Sequence, residues 1–362
     1  MDLLTDNNIL SSAGLIAGIG LGFTARTVRF CSLSAIESAL YGRDFQLMRL
    51  WAVAMAVAIL ITQYLGLDQN LDLQDSIYIT NEIPLLALIV GGLSFGLGMS
   101  LVGTCALGSI LRFGGGDLRG LVAMLLIGIV GFMTMRGILQ PLKATLLETF
   151  VIALPNGMST HLPSLISSII PFGNAEIITI IVSVAIVGGL LSWAYSSPRY
   201  RQSKSRQLGG LIVGIIIGFG WYVTGILSQE GFAIEETGSI SYVAPTGETL
   251  TYLMNYTGLT INFGIAAVLG TLLGAFLASL KAKDFHWDSF DDPREMKRQF
   301  AGACLMGFGA VVAGGCTIGQ GVTGISSLSI SSFIAFCAIV IGAGIGIKFL
   351  IDGAWDMIPF LR

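Results

Sequence analysis

The chain has 362 residues, of which 54% are hydrophobic and only 11% charged, with a formal net charge of −3. Its mean hydropathy is +0.81. A soluble domain of this length needs far more charge to cover its surface, so the composition excludes one and indicates a polytopic, all-α membrane protein.

The opening residues, Met1 to Asp6, carry no basic region, so no cleaved signal peptide is expected. A bilayer core takes roughly 20 apolar residues per helix. Nine stretches approach that length: Leu10–Thr24, Trp51–Leu67, Ile83–Val102, Leu118–Met135, Ile177–Tyr195, Leu208–Leu227, Ile261–Leu280, Phe300–Gly315 and Phe333–Ile351. The first and eighth are short, and read as tilted or partly re-entrant. Between them lie apolar pieces too short to span: Cys31–Leu40, Cys105–Phe113, Ala144–Leu154, Leu162–Ile170 and Thr317–Leu328. These read as re-entrant half-helices or interfacial helices, which are tolerated only where protein or a water-filled cavity covers them. Gly114 to Gly116 reads as a flexible turn after one half-helix. No Gly-Lys-Ser/Thr follows it, so it is not a phosphate loop. The stretch Lys281 to Arg298 reads as a solvated cytoplasmic loop.

Charge orients the chain. The segment from Asp68 to Glu82 holds four acids and no base, and Ser228 to Gly258 holds Glu230, Glu235, Glu236 and Glu248, again with no base. Alternating nine spans places 16 of the 19 Lys and Arg residues on the opposite side, leaving Arg136 and Lys143 outside and Lys348 within the last span. The positive-inside rule then sets the N-terminus outside and the C-terminus in the cytoplasm.

Two stretches nearly copy each other. Gly96, Gly98, Gly103, Cys105 and Gly108 stand in register with Gly307, Gly309, Gly314, Cys316 and Gly319, and Gly91 and Gly302 extend the match. Glycines let backbones approach closely in a membrane, and a glycine just before a cysteine lets a helix break and turn. Gly14, Gly18 and Gly22-Phe23 likewise match Gly210, Gly214 and Gly218-Phe219. One membrane domain over residues 1–362 is expected, with inverted-repeat halves at about 10–195 and 208–351 joined by a basic cytoplasmic linker, 196–207. Inverted repeats with paired broken helices mark a transport pathway near the midplane.

The segment from Gly22-Phe23 through Arg29-Phe30-Cys31 and the two Gly/Cys motifs together resemble the YeeE/YedE family of membrane proteins. The resemblance covers roughly Gly14 to Ile351. It implies a bacterial inner-membrane importer of thiosulfate or a related sulfur oxyanion, working with a small TusA-like sulfur carrier, and some relatives are proposed to move selenium species. It also implies three functional cysteines, at Cys31, Cys105 and Cys316. The first Gly/Cys motif departs from the family pattern, since Thr104 stands where a second glycine is usual. Thr104 reshapes the turn or adds a hydroxyl donor.

Thiosulfate is a small dianion with one soft sulfur. Neutral thiols donate weak S–H hydrogen bonds to that sulfur, whereas thiolates repel a dianion. Half-helices beginning at Cys105 and Cys316 point free N–H groups at an oxyanion. The expected path therefore runs along Cys31, Cys105 and Cys316, with Gly103, Thr104, Gly108, Gly314, Gly315, Thr317, Gly319 and Gln320 around the two breaks. Arg29 reads either as a path cation or as an inner-face anchor, and Arg112 and Arg119 share that ambiguity. Gln320 reads either as an oxyanion donor or as a helix-surface residue. Cys304 and Cys337 lack the motif and read as small hydrophobes.

Five cysteines without a CxxC argue against a disulfide framework. His161 and His286 lie far apart, so no metal site is expected. No cofactor and no nucleic-acid partner are expected, and membrane lipid surrounds the chain. An enzyme is not expected either; the competing reading is a membrane sulfurtransferase that forms a Cys persulfide. A sensor or structural subunit of a sulfur-handling complex is the third.

Overall fold

A computed structural model describes residues 2–67, 73–154, 159–169, 175–227 and 237–351. The acids at 68, 72, 230, 235 and 236 that helped orient the chain lie outside these residues. The helices in chain order are α1 (Asp2–Val28), α2 (Ser32–Leu40), α3 (Gln46–Leu67), α4 (Leu85–Val102), α5 (Ala106–Gly114), α6 (Leu118–Arg136), α7 (Gln140–Glu148) and α8 (Leu162–Ile169). They continue as α9 (Ala175–Tyr195), α10 (Pro198–Gln202), α11 (Lys204–Tyr222), α12 (Val243–Met254), α13 (Phe263–Ala282), α14 (Pro293–Val312) and α15 (Ile330–Ile351). Two short strands, β1 (Glu82–Pro84) and β2 (Val151–Ala153), pair antiparallel with Ile83 opposite Ile152.

Eight helical stretches among the described residues are long and apolar enough to cross a bilayer. The chain is a multi-pass, all-α membrane protein. The short reading of the first and eighth spans is corrected: α1 runs for 27 residues and α14 for 20, each without interruption. Polar opening turns hid their length. Asp2 to Ser12 precede the apolar part of α1, and Arg294, Glu295, Lys297 and Arg298 fill the first turns of α14. Those charges are also why α14 does not count among the eight.

Glycines set the helix pairs. Along α1, Gly14 meets Phe263 and Ala266, Gly18 meets Ala267 and Gly22 meets Thr271, so α1 and α13 run parallel. Gly210, Gly214 and Gly218 of α11 meet Leu50, Ala54 and Ile61 of α3 in the same parallel sense. Gly92 and Gly96 of α4 meet Ala338 and Gly342 of α15, also parallel. By contrast, Gly91 faces Ala313 and Gly98 faces Gly302, so α4 and α14 are antiparallel. A Cβ on Gly91 would lie 2.5 Å from the Ala313 nitrogen, and one on Gly98 would lie 2.5 Å from the Gly302 carbonyl. Lipid gives no hydrophobic drive between helices, so these contacts rest on close backbone packing. α9 stands at the edge, with Ile177, Ile180, Ile181 and Val184 all exposed, as suits a lipid-facing helix.

Three further corrections concern short elements. The piece Ala144–Leu154 splits, its first half closing α7 and its second forming β2. The helix α12 lies in a stretch that reads as a plain acidic connection. Its acid is engaged, because Asn262 Nδ2 donates to Glu248 Oε2 at 2.9 Å. The turn Gly114 to Gly116 is pinned: the backbone N–H groups of His286 and Asp288 donate to the Gly115 and Gly116 carbonyls at 3.3 and 3.2 Å.

Candidate functional site

Two long helices break at a glycine and restart at a cysteine. α4 ends with Gly103 at φ +77, and the chain after α14 turns at Gly314 with φ +73. An L-residue with a Cβ resists this left-handed conformation, so the breaks sit two residues before each cysteine. Cys105 then caps α5: its Sγ accepts the Gly108 N–H at 3.3 Å. Cys316 does the same at its break, accepting the Gly319 N–H at 3.5 Å. The chain beyond Cys316 starts helically, with Gln320 N–H donating to the Cys316 carbonyl at 2.7 Å, and widens into a π-helical turn over Gly319–Gly324. Both cysteines are buried.

Cys31 caps the N-terminus of α2 and is half-buried. Its Sγ lies 3.9 Å from Thr104 Oγ1, and the thiol is close enough to Cys105 for the two to interact electrostatically. The hydroxyl at 104 therefore faces a thiol. It also fixes the neighbouring glycine, since a Cβ on Gly108 would collide with Thr104 Oγ1. At the other break Gly315 leaves that space to Gln320, whose Cγ would be 3.1 Å from a Cβ there.

Gln320 is buried, which corrects the helix-surface alternative. Its Nε2 donates to the Ala313 carbonyl at 2.9 Å, tying the restarted helix to the end of α14, while its Oε1 has no partner among the described residues. Thr317 is buried, and its Oγ1 has no partner among the described residues. Arg29 is exposed at φ +56 and forms no ion pair among the described residues. Arg112 Nη2 donates to the Gly103 carbonyl at 3.0 Å, capping the first break. Arg119, in the first turn of α6, is held 2.9 Å from Asp117, 3.7 Å from Asp288 and 3.6 Å from Glu295. Cys304 and Cys337 are exposed, within α14 and α15.

Two phenols complete the centre, and sequence reasoning missed both. Tyr242 caps the N-terminus of α12, is fully buried, and shares a 2.9 Å hydrogen bond with Thr271. It lies within electrostatic reach of both Cys105 and Cys316. In order along the chain, α12 follows α11 as α2 follows α1, and Tyr242 stands at the N-cap of α12 as Cys31 stands at that of α2. Tyr78, held edge-on against Trp221, reaches the same place: a Cβ on Gly319 would lie 3.6 Å from its Oη and 3.0 Å from Ser241 Oγ. A lone tyrosine outside any repeat gave no signal in the sequence. Only the helix start at 243 reveals it.

The family model described as "Sulphur transport" matches residues 27–345. The chain belongs to the sulphur-transport family. Among the sulphur-transport proteins most similar to it is the thiosulfate transporter TsuA of Escherichia coli strain K12. The two are 25% identical over 354 residues, which covers 95% of this chain and 92% of that protein. The thiosulfate transporter TsuA of Spirochaeta thermophila is 26% identical over 352 residues, covering 91% and 96%.

Proposed function

We propose that the chain is a bacterial inner-membrane transporter that imports thiosulfate or a closely related sulfur oxyanion. The observation that carries this reading is the pair of left-handed glycine breaks, each restarting a helix on a buried cysteine, in a chain of the sulphur-transport family. The two named relatives support thiosulfate as substrate. The substrate path runs from Cys316 past Tyr78 and Tyr242 to Cys105 and Cys31. Thiols donate S–H to the terminal sulfur, while helix N–H groups and phenolic O–H groups receive the oxygens. These contacts supply partial positive charge without an intramembrane Lys or Arg, whose insertion costs about 3 kcal/mol. Each is weak, so the ion moves in steps and is released. The thiols act in the neutral form, because thiolates repel a dianion.

The halves at about 10–195 and 208–351 form an inverted repeat; the parallel pairs α1 with α13 and α11 with α3, and the antiparallel α4 and α14, support it. The N-terminus lies outside and the C-terminus in the cytoplasm, as the distribution of basic residues favours. The Cys316 end is then the outer end. A TusA-like carrier receives the sulfur anion on the inner face. The chain is not an enzyme in this reading.

The test is reconstitution of the purified chain in liposomes with labelled thiosulfate, beside Cys105→Ala and Cys316→Ala. Uptake that vanishes in folded variants supports the thiol-lined path. Uptake of a selenium or sulfite analogue alone keeps the mechanism and changes the substrate. No flux of any anion sinks the proposal. The closeness of Cys31 and Cys105 favours one rival, a sulfurtransferase in which a thiolate takes the terminal sulfur of thiosulfate as a persulfide and releases sulfite. Sulfite production by the purified chain would mark that rival.

A further inference from the structure

α9 and α11 both pack on α3, and a groove of about 480 Å³ is lined by all three helices. Val53 and Val57 of α3, Leu191 of α9, and Leu208 and Leu211 of α11 make it apolar. Leu208 and Leu211 are exposed. α9 ends at Tyr195 and α11 starts at Lys204, and both of these residues line the groove. One end of it therefore lies where two membrane-spanning helices meet water. Gln207 lines that end too, but its Nε2 is spent on the Tyr200 and Arg201 carbonyls, at 2.9 and 2.7 Å. Lys204 is exposed and makes no ion pair among the described residues. The linker 196–207 around it also carries Arg199, Arg201 and Arg206, and no acid.

An apolar groove on the flank of a membrane protein is covered by lipid tails. A cluster of bases at the helix ends draws negatively charged headgroups. A lysine stem lies along apolar surface while its ammonium reaches the headgroup layer. We propose that this groove binds one anionic phospholipid, with an acyl chain along Val53, Val57 and Leu211 and the headgroup phosphate on Lys204. Its volume falls within the roughly 300–1,000 Å³ of ligand sites. A zwitterionic lipid offers the same tail but brings its own cation, which competes with Lys204 for the phosphate. A free phosphate ester has the charge and lacks the tail. The bound lipid joins α9 to α11, the two long helices that flank the basic linker. The site is independent of the ion carried along the thiol path.

The full chain, purified in a mild detergent and delipidated, is titrated with phosphatidylglycerol, phosphatidylcholine or glycerophosphate, and native mass spectrometry follows each binding step. The wild type is compared with Lys204→Gln, with Leu211→Trp, which fills the groove, and with Lys283→Gln, which removes an exposed base on the loop between α13 and α14. The expected result is one phosphatidylglycerol bound more tightly than any further lipid, and more tightly than phosphatidylcholine. Lys204→Gln weakens that step roughly fivefold, Leu211→Trp removes it, and Lys283→Gln leaves it unchanged. Phosphatidylcholine binding does not respond to Lys204→Gln, and glycerophosphate does not displace the lipid. Equal affinity for the two lipids, or equal losses in the two lysine variants, overturns the site. So does a tight step that survives Leu211→Trp, or displacement by glycerophosphate, which would mark a site for free phosphate esters. Circular dichroism checks the fold of each variant. If Leu211→Trp does not fold, Lys204→Gln and the lipid comparison decide the matter, since Lys204 is an exposed residue.

Discussion

The breaks at Gly103 and Gly314 share a backbone and differ in everything around it. Both turn at φ near +75, at +77 and +73, and both restart on a cysteine that accepts the N–H three residues ahead. At the Cys105 break the neighbours are Thr104, a second thiol at Cys31, and Arg112 over the turn. The loop between α13 and α14, pinned by Arg119 and the Gly115 and Gly116 carbonyls, lies just beyond. At the Cys316 break the neighbours are a glycine, a buried amide, two phenols and an open cavity. Duplicating a broken helix supplies two helix starts. The side chains around them make one end sulfur-rich and the other oxygen-rich, with an open cavity beside it. A path with unlike ends can receive an anion at one and release it at the other.

The largest expected effect tests whether the two cysteines do the same work. Alanine at either one removes a donor aimed at the ion, and loss of a single preorganised donor costs roughly a hundredfold or more in related electrostatic sites. Serine separates the ends. Cys316→Ser joins existing hydroxyls and should retain more uptake than Cys105→Ser, which breaks a thiol pair. Equal losses in the two serine variants, measured as initial uptake rates, would erase the difference drawn here.

Next come the breaks themselves. Gly103→Ala and Gly314→Ala each force a Cβ into the left-handed region, at about 1–2 kcal/mol. Only at Gly314 does that Cβ also crowd a neighbour, at 3.0 Å from Gln320 Nε2, whereas at Gly103 the nearest atom, Arg112 Nη2, is 3.9 Å away. Thermal unfolding in detergent should therefore fall further for Gly314→Ala.

A smaller effect concerns Thr104. Gly108→Ala places a Cβ against Thr104 Oγ1, and overpacking of this kind costs about 1–3 kcal/mol. Thr104→Gly removes the obstacle and makes the first break resemble the second. The double variant Thr104→Gly with Gly108→Ala should unfold at a higher temperature than Gly108→Ala alone. Additive losses would mean that the hydroxyl does not set the glycine.

The smallest effect lies on the loop between α13 and α14. His286 is raised above the usual histidine range, first by the Asp284 carbonyl and then by Asp288, whose Oδ2 is 2.9 Å from its Nε2. A raised folded value stabilises the loop below the ordinary histidine pKa, and the contribution is lost as pH rises through the folded value. Hydrogen exchange of amides 284–288, corrected for intrinsic rate, should be slower at low pH than at high pH. Asp288→Asn should flatten that dependence.

Much of this was legible in the chain. The glycine register that predicts close packing is the register that pairs α4 with α14 and α1 with α13. Cysteines at helix starts followed from one glycine and one cysteine repeated at fixed spacing. What stayed hidden has physical causes. Polar first turns masked α1 and α14, because hydropathy sums over residues that lie beyond the apolar part of a helix. α12 and its Tyr242 cap were invisible, because the half-buried acid of that helix, Glu248, takes a hydrogen bond from Asn262, which only folding brings to it. The cavity around Lys143 joins β1, α7 and α14, elements far apart in sequence.

The most direct test is protection of Cys316 by the ion itself. The exposed Cys304 and Cys337 are first replaced by serine, and sealed vesicles of known orientation are treated with a charged, membrane-impermeant thiol reagent. The account predicts that Cys316 is modified from the outer side before Cys105 or Cys31, and that thiosulfate slows this modification in a saturable way. Modification of Cys316 from the inner side first, or a rate that thiosulfate leaves unchanged, would contradict a thiol-lined path entered at that end.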